Sequence, residues 1–106
     1  MANVQYSHAA LDDLQQLSEY LTNNWGELIA KRVLQKITSD IRRLEQYPAL
    51  GTDLGKNINV PSDYRYIFSE KNDVFYRIEA EAIKIIRVLH EQQDYMQQLF
   101  GLSKED

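Results

Sequence analysis

The sequence has no cysteine, so neither disulfides nor thiolate metal sites can hold the fold together. That suits a reducing compartment. Glycine and proline are scarce, with four and two in 106 residues. The glycines are too scattered to form a phosphate-cradling loop of the GxxxxGK-Ser/Thr or GxGxxG type. Long apolar runs are missing as well; none approaches the roughly 18 residues that a membrane span requires. Positive charge is in short supply: 12 Lys and Arg stand against 16 Asp and Glu, a net charge of −4. Such a balance argues against wholesale binding of a phosphate backbone, though a local basic patch would still be compatible with it. The opening Met1-Ala-Asn-Val-Gln5 has neither the basic region nor the apolar core of a signal peptide. The expectation is a soluble cytoplasmic protein with one domain over residues 1–106. A chain of this size buries roughly 60–70% of its unfolded surface.

What is present is organised around Val74 to His90, which reads as two β-strands joined by a turn at Ala80-Glu81. The second strand, Ile83 to Leu89, is apolar almost without a break, as strands are when both faces are covered. Arg77 and Arg87 interrupt these strands and need partners or water, because an unpaired buried charge is costly.

From the start of the chain, Asn3 to Tyr6 is a short strand candidate and Ser7 a helix N-cap. Leu11, Leu14, Leu17 and Leu21 form one helical stripe. Asn23-Asn24 should end that helix, and Asn24 with Glu27 should open a second one as a capping-box variant. The second helix is expected from about Trp25 to Tyr47, with Ile29, Val33, Leu34, Ile37, Ile41 and Leu44 facing inward and Pro48 as the stop. Two helices so closely linked should pack as an antiparallel hairpin. Pro48 to Ser62 reads as a connecting loop. Tyr64 to Ser69 is a strand with Arg65 and Ile67 on one face and Tyr64, Tyr66 and Phe68 on the other. Glu70 to Asp73 is a turn, Gln92 to Leu102 a final helix, and Lys104 to Asp106 a frayed end. The fold class is therefore α+β. A helical hairpin packs on one face of a small twisted, mainly antiparallel sheet that the first strand joins.

The order of elements and the wording of the second half resemble the RelE/ParE superfamily of bacterial type II toxins. The resemblance rests on Tyr64-Arg-Tyr-Ile-Phe68, Val74-Phe-Tyr-Arg-Ile-Glu79, Ile86-Arg-Val-Leu-His90 with Asp94, and Leu99-Phe-Gly101. Tyr6-Ser7 leading into Ala10-Leu-Asp-Asp-Leu14 is also family-like, so about residues 3–101 are covered. The Arg-Val-Leu-His ending looks more like the ParE branch. The resemblance implies the toxin half of a toxin–antitoxin pair, associated with plasmid stabilisation and growth inhibition. Its partner would be a cognate antitoxin that lays a helix or extended segment along the toxin. ParE-like toxins poison DNA gyrase. RelE-like toxins cut mRNA on the ribosome with basic residues around the sheet.

Under the RNA-cleaving alternative the catalytic candidates are Arg65, Arg87 and His90. Arg65 matches an arginine of that branch, and His90 could move a proton near neutral pH. Two other positions depart from the branch: its later arginine falls near Glu91 and its C-terminal tyrosine near Gln97. Neither residue can stabilise a pentavalent phosphate as arginine would. A gyrase poison is thus favoured over an enzyme, with a non-toxic antitoxin-binding module as the third reading.

The plain structural readings are that Arg77 and Arg87 pair with Glu79, Glu91 or Asp94, and that His90 bonds a backbone carbonyl at a strand end. His8 reads as a surface residue. Glu91 with Asp94 is no metal site on spacing alone. Tyr64, Tyr66, Tyr76, Arg77, Tyr95 and Phe100 are the candidates for partner contact, and the helical hairpin offers a second surface where an antitoxin helix could lie. No cofactor or metal is expected. Either a homodimer or a toxin–antitoxin hetero-oligomer is compatible with the sequence.

Overall fold

A computed structural model describes residues 3–56, 62–91 and 93–101. Strand β1 (Asn3–Tyr6) leads into helix α1 (His8–Trp25) and helix α2 (Glu27–Arg42). Then come β2 (Thr52–Asp53), β3 (Arg65–Ser69), β4 (Asn72–Glu79), β5 (Ala82–His90) and a short helix α3 (Tyr95–Phe100). The five strands form one sheet in the order β1-β5-β4-β3-β2. Only the β1–β5 pair is parallel.

The sheet has a core on each side. Ile37, Ile41 and Leu44 meet Val74, Tyr76, Ile83, Ile85 and Val88 beneath the hairpin of α1 and α2. On the opposite side, Leu54, Phe75 and Leu89 are buried, with Tyr64, Tyr66, Tyr95, Leu99 and Phe100 packed against them. Coverage from both sides explains the continuous apolar run of β5. A β-bulge lies within it: Arg87 pairs with Phe75 and Ile85 with Tyr76, leaving Ile86 without an opposite residue. The extra residue resets the alternation, so Val88 returns to the hairpin side although it is an odd number of positions from Ile85.

The helices depart from the sequence reading in three ways. Leu11 is half exposed, at 50%, and the inward stripe begins instead at Ala10, which is fully buried. Small Ala10 allows the start of α1 to lie close to the sheet. Second, Asn24 and Glu27 form no capping box. Helix α1 continues through Trp25, and Gly26, at φ +92°, makes the whole turn between the helices. Asn24 Nδ2 instead donates to Tyr20 O at 2.7 Å. Third, α2 stops at Arg42 and tightens into a 3-10 turn at Arg43–Glu45, which still buries Leu44.

The loop expected after Pro48 carries 3-10 turns at Pro48–Leu50 and Leu54–Lys56, with the two-residue edge strand β2 between them. Its remaining residues 57–61 lie outside the described residues, as do Gln92, Leu102 and the tail after it. The β3–β4 turn is two residues long, Glu70 and Lys71, both at positive φ, and β4 begins at Asn72 rather than Val74. Helix α3 is shorter than expected, with Asp94 as its N-cap accepting from Gln97 N.

Candidate functional site

Beyond Tyr6, the outer edge of β5 has no strand to pair with. An unpaired edge leaves backbone donors and acceptors open, and α1 covers it with side chains. Ser7 N donates to Ile85 O at 3.0 Å. Ser7 Oγ donates to Ile86 O at 2.8 Å and also accepts from Ala10 N at 2.9 Å as the N-cap of α1. Further along, Asp13 Oδ2 accepts from Val88 N at 2.9 Å.

The same carboxylate receives the Arg87 guanidinium as a fork, with Nε to Oδ2 at 2.7 Å and Nη2 to Oδ1 at 2.8 Å. Arg87 Nη1 donates to Gln98 Oε1 of α3 at 3.2 Å. The hydrogen bonds that Arg87 donates to Asp13 raise its pKa further and outweigh the opposing effect of burial. Arg87 therefore ties α1, β5 and α3 together. Its partner is Asp13, not the Glu79, Glu91 or Asp94 expected from sequence.

Arg65 lies opposite Tyr76 on the hairpin side of the sheet, and its Nη1 donates to Gly51 O at 2.9 Å. Gly51 N donates to Tyr76 Oη at 2.8 Å, and that hydroxyl donates to Pro48 O at 2.6 Å. Burial pushes the Tyr76 phenol pKa up, against the hydrogen bond from Gly51 and the charge of Arg65. Glycine is required at 51, because a Cβ there would stand 2.7 Å from both Tyr66 O and the Tyr76 ring. Tyr76 is fully buried, so it cannot be the partner-contacting residue the sequence suggested; its hydroxyl anchors the segment before β2.

His90 closes β5 opposite Asn72, and its backbone N donates to Gln93 Oε1 at 2.7 Å. The register places Arg65 and His90 at opposite ends of the sheet. They are separated by four residues along β4 and by two strand steps, or about 13 Å along and about 10 Å across at ordinary strand spacings. Arg65, Arg87 and His90 thus do not converge. Nor do Arg65, Arg77 and Arg87 form one basic patch, since each has its own partner. Arg77 Nη2 lies 3.2 Å from Asp63 Oδ2, and its Nε lies 3.1 Å from Glu79 Oε2 without a well-aligned hydrogen bond. Pairing with Glu79 was expected; Asp63 was not foreseen.

Tyr64, Tyr66, Tyr95 and Phe100 pack, partly buried, against the core of Leu54, Phe75 and Leu89. Tyr64 stacks on Phe100 at 5.7 Å, and Phe75 meets Tyr66 at 5.9 Å and Tyr95 at 5.5 Å. The sequence named these aromatics as candidates for partner contact and did not reveal that they pack with α3. No cluster of three metal-ligating side chains occurs among the described residues. None of their helices is long and apolar enough to cross a membrane.

The tip of the helical hairpin exposes large apolar side chains. Tyr20, Trp25 and Leu28 are 57%, 65% and 82% exposed. Beside them a groove of about 440 Å³ runs between the hairpin and the β3–β4 turn, with Leu17, Trp25, Ile29 and Val33 on one side and Lys71 and His90 on the other.

The family model described as "ParE toxin of type II toxin-antitoxin system, parDE" matches residues 4–95. The chain belongs to the ParE toxin family. Solved structures with a similar fold include two at low sequence identity. The chromosomal ParDE TA system from P. aeruginosa gives a TM-score of 0.72 at 21% identity, covering 85% of this chain and 96% of that one. The YoeB-YefM complex from Staphylococcus aureus gives 0.52 at 19% identity, covering 85% and 97%. No curated protein matches the chain significantly.

Proposed function

We propose that this ParE-family toxin arrests growth by binding and inhibiting DNA gyrase, and that a cognate antitoxin neutralises it. The observation that carries the reading is the fork between Arg87 and Asp13. RNA cleavage needs free cations and a proton carrier converging on one phosphate. Here Arg87 is committed to α1, Arg65 to Gly51, and His90 sits at the far end of the sheet. Without a converged catalytic set, action by binding is the simpler account. Antitoxin partnership is supported by the family, whose description names a type II pair. The groove beside Trp25 and Ile29 suits the apolar face of an antitoxin helix.

The test is induction of this chain alone in bacteria that carry a DNA-damage-response reporter. Growth arrest with the reporter on is expected, because trapped gyrase leaves broken DNA. Arrest with a silent reporter would overturn the gyrase reading and turn attention to mRNA ends at ribosomes. A well-expressed chain without arrest would favour the non-toxic module.

A further inference from the structure

Between α3 and the sheet, on the side away from the hairpin, lies a cavity of about 170 Å³ lined by Leu54, Tyr66, Asp73, Phe75 and Tyr95. Of the five described residues that line it, three are aromatic, and the only charged one is a carboxylate. No hydrogen bond or ion pair joins the Asp73 carboxylate to any described residue. Burial raises its pKa, and the nearby charge of Glu91 raises it again. The molecule therefore holds a half-buried acid beside aromatic rings, with a second acid close by and, among the described residues, no cation paired with either.

We propose that this cavity receives a single arginine side chain from a protein partner, its guanidinium set against the partly buried rings of Tyr66 and Tyr95 and bonded to Asp73. Aromatic faces attract cations, and the flat guanidinium both stacks on a ring and forks onto a carboxylate. The size fits one side chain rather than a whole small ligand, since sites for drug-sized molecules run to about 300–1,000 Å³. Glu91 also disfavours free arginine, whose own carboxylate would enter a field already negative. The inference is separate from the question of which target the toxin poisons.

The test is an NMR titration of the isotope-labelled full chain at pH 7 with N-acetyl-arginine methylamide. Its neutral isostere N-acetyl-citrulline methylamide and free arginine are run in parallel. Saturable shifts are expected at the amides of Tyr66, Asp73, Phe75 and Tyr95. Binding of the citrulline probe should be about tenfold weaker or undetectable, in keeping with the loss of a cation–ring contact and a charged hydrogen bond. D73N should keep the native spectrum and lose the arginine response. Equal responses to the arginine and citrulline probes, or none up to the solubility of the arginine probe, would overturn the proposal without relying on any variant. Tighter binding of free arginine would make this an amino-acid site and would also overturn it.

Discussion

The Tyr76 hydroxyl binds the segment after the helices to the sheet through one oxygen, which accepts from Gly51 N and donates to Pro48 O. Tyr76→Phe keeps the ring but orphans a buried backbone donor. A loss of about 2–3 kcal/mol is expected, read as a lower urea midpoint at unchanged slope. Asp73 makes a prediction of opposite sign. Its folded pKa is raised by burial and then by Glu91, so its favourable contribution is complete below the ordinary carboxylate value of about 3.9. That contribution is lost as pH rises through the raised folded value. Asp73→Asn should therefore melt higher than the parent at pH 7, with the two melting temperatures converging below that ordinary value; thermal unfolding across pH checks both. At this scale the sequence disclosed residue types better than partners. The need of Arg87 for a counter-charge was readable from its place in an apolar strand, but Asp13 lies 74 positions away. No local spacing rule connects residues that far apart.

Among the elements, strands, helices and most turns were legible because their apolar periods are strong, and the irregularities were not. The bulge at Ile86 arises from the pairing of two strands and leaves no mark in either alone. The turn at Gly26 was hidden by two asparagines and a glutamate that imitate a capping box. Edge strand β2 is only two residues long and offers no period to read. The turn after β4 was legible, yet it contains Ala80 at φ +50°, a left-handed conformation in which a Cβ is crowded. Ala80→Gly should stabilise the protein by about 0.5–1 kcal/mol, the relief of that crowding less the extra freedom glycine gives the unfolded chain. The check is a rise in the urea midpoint with the spectrum otherwise preserved. No gain would mean that the neighbouring strand pairs already absorb the strain.

For the whole molecule, the α+β class and the packing of the hairpin on one face followed from pattern alone, while the second core under α3 did not. Tyr64, Tyr66, Tyr95 and Phe100 gave the same signal whether they were to meet each other or a partner; only their three-dimensional arrangement shows them packed, partly buried, against the second core. The candidate catalytic set had the same ambiguity, since sequence could name Arg65, Arg87 and His90 but could not place two of them at opposite ends of a sheet. The sheet order β1-β5-β4-β3-β2 has a further consequence for how the protein comes into being. The strand that lies between β1 and β4 is the last of the five to be synthesised. Until residues 82–90 exist, β1 has nothing to pair with and Asp13 of α1 has neither Val88 nor Arg87 to hold. The ribosome therefore produces β1, the helical hairpin and the β2–β3–β4 ladder before the strand that joins β1 to that ladder, and folding through so distant a contact is intrinsically slow. A newly made chain passes through an interval in which its apolar faces are open and its five-stranded sheet does not yet exist.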